Sequence, residues 1–502
     1  MKVTHVCSAC LVQEVSYWRL ARAGRTAFNH LRRKNIQGFR SDAGPFTGEL
    51  SMTPFSRSLA SSVAAVWLTV AAGIARVEAA GQQSTWILPT VGDLKTAPPP
   101  TGDAAAGELT ALRTMVANRS DSEVAQARWW DVGGPVYRWN EIAVREMLTH
   151  SVTVPLALRN LALIHAAIHD AVASALANKK SYARERPFAI DPQIAAVLPV
   201  PSSVSYPSDF GAAAGAASEL LAYLFPADAD RIRKLAIEAA QSRVIAGLEY
   251  PSDAEAGLDL GRQVSARAIE RARQDGSDQK WTGTVPSGPG KWQGTNPINP
   301  AAATWKSWSL KTPDEFRPAP PPDYDSSVTL AELAELKSFP RTPRTNSIAV
   351  YWETFGGVRS FQLWNEHASR KVLEYALAQD PAAATYALAA MNIAMHDACI
   401  ACWDAKFTYW RIRPSQLDPE LKTLFPPPNH PSYPAAHGCI STAAAVVLAR
   451  LFPGDADTLL AIGKEAADAR IYAGIHYRSD IDAGQALGRV VAEKVLALSS
   501  PR

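Results

Sequence analysis

The chain has 502 residues, 47% of them apolar and 20% charged, with a net charge of +3. This is the make-up of an ordinary globular protein with enough chain for two large cores or one very large one, and it excludes a disordered or fibrous polymer. No long basic run follows residue 60, so nothing in the charge points to nucleic acid as a partner.

The first elements are of a targeting kind. From Met52 the chain runs Met-Thr-Pro-Phe-Ser-Arg, then an apolar stretch over 59–75, then small residues around Ala79. A short basic head, an apolar centre and small residues at the end make residues 52–80 a secretory signal peptide, so the protein is expected to be exported, periplasmic or secreted. Residues 1–51 are then an upstream extension, with Met52 the natural start. A membrane anchor is the competing reading, but Ser61, Ser62, Thr69 and Gly73 make the stretch short and weakly apolar, and no stable membrane span is expected. Cys7 and Cys10 have redox-motif spacing without the strand and helix setting that motif needs. Cys399, Cys402 and Cys439 are too few for a disulfide framework, although one pair is open to oxidation.

Residues 81–125 are rich in Pro, Thr and Ala and read as peripheral. Beyond them the chain repeats itself. Lys179, Arg186, Pro187, Ser205, Tyr206, Pro207, Arg243, Asp253, Gly257 and Gly261 recur at 406 − 179 = 227 as Lys406, Arg413, Pro414, Ser432, Tyr433, Pro434, Arg470, Asp480, Gly484 and Gly488. Trp139-Asn140-Glu141 is answered by Trp364-Asn365-Glu366, and His169-Asp170 by His396-Asp397. Between these landmarks Ala, Leu, Glu and Arg dominate, apolar residues recur at three and four, and strand patterns are scarce. The expected fold is all-α, with two pseudo-twofold-related helical bundles of four or five helices each. The N-terminal copy spans 81–275, the C-terminal copy 346–502, and a loop-rich connection 276–345. Trp281, Trp292, Trp305 and Trp308 are too many for a flexible linker, so the connection is expected to pack across the bundles, with a short helix over 330–336.

Two positions break the repeat. Phe210 stands where the second copy has His437, and Glu249 where it has His476. Around these histidines lie three blocks: Lys406 to Arg413-Pro414, His430 to His437, and Arg470 to Asp480. Lys406, Arg413 and Arg470 can neutralise a tetrahedral oxyanion, and small residues before His437 let backbone N–H groups approach it. Asp480, four residues after His476, can accept one imidazole N–H and raise the basicity of the other nitrogen, if that segment is helical. His476 is then a nucleophile or a metal-oxyanion ligand, and His437 the general acid–base. Arg470 and His476 are six apart, so a bend must bring them together, and Gly474 is its expected place.

These blocks resemble the vanadium-dependent haloperoxidases and the type 2 phosphatidic acid phosphatases, whose pattern is Lys-x6-Arg-Pro, Pro-Ser-Gly-His and Arg-x5-His. The resemblance runs from about residue 127 onward. It implies vanadate as cofactor, with His476 as its ligand (or a phosphohistidine nucleophile). Lys406, Arg413, Arg470 and the backbone of Ala436 would hold the oxygens, with His437 as acid–base. Trp403 looks like an aromatic lining position, and His430 like the residue of bromoperoxidases. One departure stands out: the family's Ser-Gly is Ala435-Ala436 here, which removes a hydroxyl donor worth about 1.5–3 kcal/mol to a charged partner.

The implied function is vanadate-dependent oxidation of halide, bromide or iodide favoured, by hydrogen peroxide. The alternatives are an acid phosphatase acting on a phosphomonoester through the same pocket, and a non-catalytic helical binding protein whose site is decaying at Ala435. The N-terminal copy, without either histidine, is expected to be structural. His169, His396, Cys399 and Cys402 are expected to be buried core groups and not metal ligands.

Overall fold

The computed structural model describes residues 85–353 and 357–498; the segments read as an upstream extension and a signal peptide, with Cys7 and Cys10, lie outside these. The first copy comprises helices α1 (Gly102–Asn118), α2 (Asp121–Asp131), α3 (Tyr137–Thr149), α4 (Val154–Tyr182), α5 (Pro187–Ile190), α6 (Asp209–Leu224), α7 (Ala229–Ile245) and α8 (Pro251–Arg273). In the connection lies α9 (Ser327–Ser338). The second copy holds α10 (Pro343–Glu353), α11 (Arg359–Glu374), α12 (Pro381–Tyr409), α13 (Pro414–Leu417), α14 (Ala436–Leu451), α15 (Ala456–Tyr472) and α16 (Arg478–Leu498). The fold is all-α; among the described residues the only β pairing is an isolated bridge between Lys291 and Arg411.

The expectation of two bundles meets a core that is shared. One apolar cluster takes Leu158, Ile164 and Ile168 from α4 together with Met391, Ile393 and Met395 from α12. These 29-residue helices begin alike, with proline in the first turn, where its missing N–H costs nothing. They also end alike, at Ala183 and Trp410 in the left-handed region, φ 49 and 54. Their alanine-rich sequences let the helices of the two copies pack closely. His169 Nδ1 and Thr385 Oγ1 meet across them at 3.0 Å. By length and composition α4 could cross a membrane, but 89% of its apolar window is buried inside the protein, as in a core helix.

The His-Asp pairs are structural. Asp170 accepts backbone N–H groups of Trp86, Ile87 and Leu88 at 2.7–2.9 Å. Asp397 accepts those of Trp308 and Ser309 at 2.9 and 2.6 Å. Each carboxylate therefore pins an irregular segment that precedes its copy's site. In the connection Trp292 and Trp305 are buried, and Trp292 N–H donates to the Trp410 carbonyl at 2.7 Å. Cys399, Cys402 and Cys439 are buried free thiols.

Close helix packing then fixes where the chemistry sits. A Cβ on Gly488 would lie 2.2 Å from the Cys439 carbonyl oxygen, so only glycine lets α16 approach α14 this closely. The approach sets the first turn of α14, with His437, against the first turn of α16, with Asp480.

Candidate active site

The second copy gathers the predicted residues at the ends of its helices. Lys406 lies in the last turn of α12, and the left-handed turn at Trp410 reverses the chain so that Arg411 and Arg413 come back under it. Arg470 ends α15. Gly474, at φ 74, supplies the expected bend and delivers His476 to the same place.

Arg413 is the hub. Its Nη1 donates to the Ile475 carbonyl at 3.0 Å and to His476 Nε2 at 2.8 Å. Its Nη2 donates to His430 Nδ1 at 3.0 Å and to the His430 carbonyl at 2.9 Å. His476 Nδ1–H in turn donates to Asp480 Oδ2 at 3.0 Å. This contact is not made along a helix face, as the spacing suggested. His476 precedes α16, and Asp480 sits in the first turn of that helix, where it also accepts the Tyr477 N–H at 3.1 Å. The four-residue spacing works because the carboxylate caps a helix start.

Lys406 is fully buried and donates to the carbonyls of Pro431, Ser432 and Pro434 at 2.9, 3.0 and 2.5 Å. Its charge stands behind the site, while its donors hold the loop leading to α14. His437 Nε2–H donates to the Trp352 carbonyl at 3.0 Å, with Arg470 Nη1 3.4 Å away. Arg470 also pairs with Glu353, a residue the sequence reading did not single out. The signal was present, because Trp130-Asp131 in the first copy answers Trp352-Glu353, and Asp131 pairs with Arg243 at 2.6 Å.

Trp403, His430, Ala436, His437, Arg470 and His476 line a cleft of about 610 Å³. Lys406 and Arg413 lie behind its wall. The far rim comes from the first copy: Met147, Leu148 and 151–155 line the same cleft. Sequence reading missed this rim, and it gives the degenerate copy a role. The relation is reciprocal, since the cavity of the first copy is lined by 378–382, and 378 − 151 = 227.

Electrostatics favour an anion. Burial pulls Lys406 down to about 8 and Arg413 to about 10. His476 is held well below the usual imidazole range, first by burial and then by the Arg413 charge, which outweigh Asp480. It is therefore neutral, with its proton on Nδ1 and a lone pair on Nε2. His437 is depressed by desolvation and by Arg470, and His430 by burial, Lys406 and Arg413. A bound anion would reverse the cationic part of each shift. Since Lys406 loses its charge as pH rises through about 8, affinity for inorganic phosphate is expected to fall above that pH. Calorimetry across pH 6–10 (roughly the span that brackets the shifted and ordinary lysine values) checks this, and Lys406→Met should flatten the profile.

The Ala435 departure takes on a second meaning. In the first copy Ser208 caps its own helix, accepting the Gly211 N–H at 2.9 Å. Ala435 has no side-chain acceptor, so the start of α14 carries no such cap. An uncapped helix start directs N–H groups and a positive dipole end at an incoming anion. Ala435→Ser is expected to stabilise the protein by about 0.5–2 kcal/mol through the copy-one cap. Thermal unfolding measures this.

Residues 382–500 match the PAP2 superfamily. A non-specific acid phosphatase of Providencia stuartii is 33% identical over 102 residues, 20% of this chain and 40% of that protein. Another, of Salmonella typhi, is 41% identical over 59 residues, 12% of this chain and 24% of that protein. The chain thus spans less than half the length of these curated relatives. Among solved structures, the first bacterial vanadium-dependent iodoperoxidase superposes with a TM-score of 0.56 at 23% identity, over 80% of this chain and 98% of that one. A bacterial vanadium-dependent chloroperoxidase gives 0.52 at 15% identity, over 69% and 93%. These likenesses establish the fold. The match to the PAP2 superfamily thus falls on the second copy, which holds the site, and the described body is folded like the bacterial vanadium-dependent peroxidases.

Proposed function

We propose that the protein is an exported vanadate-dependent haloperoxidase that uses hydrogen peroxide to oxidise halide, iodide or bromide in preference to chloride. The observation that carries this reading is the neutral, buried His476, its Nδ1–H fixed on Asp480 and its Nε2 turned to Arg413 beside an apolar cleft. The donor set fits a tetrahedral oxyanion: two buried cations, Lys406 and Arg413, with no carboxylate hydrogen bond among the described residues, and a helix start with no side-chain cap at Ala435. His476 Nε2 would ligate the metal oxyanion, and Arg413, Lys406, Arg470 and the Ala436 N–H would balance its oxygens. Vanadate, when bound, supplies the activation of peroxide toward halide.

The chain's own residues do the rest. Asp480 keeps the Nδ1 tautomer, so Nε2 presents its lone pair. His437 is neutral with its proton at Nε2 on the Trp352 carbonyl, and once an anion offsets Arg470 the imidazole can take up a second proton and return it to the cleft. His430 and Trp403, with rings 5.3 Å apart, line the approach, and His430 favours the larger halides. Likeness over 98% of an iodoperoxidase chain, against 102 residues for an acid phosphatase, supports this reading over the second one.

That second reading is an acid phosphatase, supported by the sequence match over the site region. There His476 Nε2 attacks phosphorus and His437 protonates the leaving oxygen of a phosphomonoester. The test is an iodide and bromide oxidation assay with added vanadate, run beside a phosphomonoester assay on the same sample. Vanadate-dependent iodide oxidation upholds the proposal. Phosphomonoester hydrolysis without any halide oxidation replaces it with the second reading, and failure to bind vanadate at all points to a non-catalytic binding protein.

A further inference from the structure

Three ligand-type side chains converge where the end of α3 meets the start of α7. Glu146 and His150 are four residues apart, about one helical turn, so they share a face. Asp228, the residue before α7, comes up to meet them. His150 Nε2 lies 2.9 Å from Asp228 Oδ2 and 3.8 Å from Glu146 Oε2. One ligand atom from each residue falls within 4.8 Å of the other two. An imidazole and two carboxylates at these separations can close on one ion at ligand distances of about 2.0–2.2 Å. Glu146 is buried, and the His150 ring stacks on Phe225 with centroids 4.5 Å apart, so both are already held in place.

The second copy shows what this place requires. Lys371 and Tyr375 stand for Glu146 and His150, at 371 − 146 = 225 and 375 − 150 = 225, and Asp455 for Asp228, at 455 − 228 = 227. There Lys371 Nζ donates to Asp455 Oδ2 at 2.8 Å, and the Tyr375 hydroxyl to the same oxygen at 3.0 Å. The chain supplies the cation itself. In the first copy a second carboxylate replaces that ammonium, and the balancing charge comes from Arg231. Its Nη2 reaches Glu146 Oε2 at 2.8 Å and Asp228 Oδ1 at 3.1 Å. One guanidinium against two carboxylates leaves a negative charge over. The Arg231 side chain is 45% exposed and free to swing into water, whereas that of Lys371 is 11% exposed. We propose that Glu146, His150 and Asp228 bind a divalent transition-metal ion of the zinc type, with Arg231 displaced. A nitrogen and two carboxylates suit zinc better than calcium or magnesium, which prefer all-oxygen shells. Glu146 adjoins Met147 and Leu148, which line the active cleft, so the ion would tie that rim to α7. The ligands themselves lie outside the cleft, and the site is independent of the reaction run there.

The test uses the full chain, stripped of metal with a chelator, dialysed, and titrated calorimetrically with zinc chloride. Saturable binding of a single zinc equivalent is expected. His150→Ala should weaken it by about a hundredfold or more, beyond what losing an outer-shell partner costs. Arg231→Gln removes the competing cation and should tighten it about fivefold. That gain is a readout a poorly folded variant would not give. His476→Ala alters the active cleft alone and should keep the binding. Zinc should also raise the unfolding temperature of the unaltered protein but not that of His150→Ala. No saturable zinc binding, unchanged affinity in His150→Ala or in Arg231→Gln, or loss of the binding in His476→Ala would each overturn the proposal.

Discussion

His476→Ala is expected to abolish turnover, by about three orders of magnitude or more, whether the reaction is halide oxidation or phosphate ester hydrolysis. In either case Nε2 is the atom that bonds to the oxyanion centre, and no neighbouring group can replace it. Arg413 has no lone pair to offer, and His430 Nδ1 lies against Arg413 Nη2 and the Pro431 carbonyl, with no carboxylate such as Asp480 to fix its tautomer. The fold should survive. Arg413 keeps its carbonyl partners, and Asp480 keeps Arg411, Ser432 and the Tyr477 N–H. The first copy gives further grounds, because its frame folds with Glu249 at the matching position. His437→Ala should cost less, about two to four orders of magnitude, since proton transfer can pass partly to water. Both variants are measured by activity per folded molecule, with circular dichroism and thermal unfolding as the fold check. Full activity in His476→Ala would remove this residue from the mechanism under either reading.

How much of this was legible in the sequence depends on the range of the interaction. The constant offset of 227 exposed the repeat, and with it the contrast of Phe210 and Glu249 against His437 and His476. Short spacings were readable too: Gly474 had to be a bend, and His476 had to meet Asp480. Even there the reason differed, because the contact is a helix-start cap and not a shared helix face. Hydrogen bonds between distant segments left no local spacing to read. Glu353 meets Arg470 across 117 residues, where only comparison of the two copies could have pointed to it, and the rim at 147–155 shares a cleft with His437 only because the two copies pack together. The shared core was hidden for the same reason. Alanine-rich helices show which residues are apolar but not which helix they face.

The largest stability effect is expected at Asp480, and the repeat supplies its own control. Asp480 is fully buried and accepts from Arg411 Nη1 at 2.8 Å, Ser432 Oγ at 2.5 Å, His476 Nδ1 at 3.0 Å and the Tyr477 N–H. Burial alone would raise its pKa, but Arg411 and these hydrogen bonds outweigh it and hold the carboxyl well below the usual range. Its contribution is therefore present at neutral pH and lost only in strong acid. Asp253 occupies the same place in the first copy, with Arg184 at 2.7 Å and the Tyr250 N–H at 2.8 Å. There Glu249 stands where His476 would donate, and burial, opposed by Arg184 but aided by Glu249, leaves Asp253 raised to about 6. A carboxyl raised in this way contributes stability at low pH that is lost as pH rises through about 6. At neutral pH Asp480→Asn is expected to cost about 3–5 kcal/mol, the cost of breaking a buried ion pair, while Asp253→Asn should cost less. Activity should separate them further. Asp480→Asn leaves the imidazole tautomer unfixed and lowers turnover by about two to four orders of magnitude, while Asp253→Asn leaves turnover per folded molecule unchanged. Denaturant unfolding at pH 7 and pH 5 (roughly one unit either side of the Asp253 value) decides the order. Equal losses of stability and activity in the two variants would show that the imidazole opposite Asp480 does not set the difference between the copies.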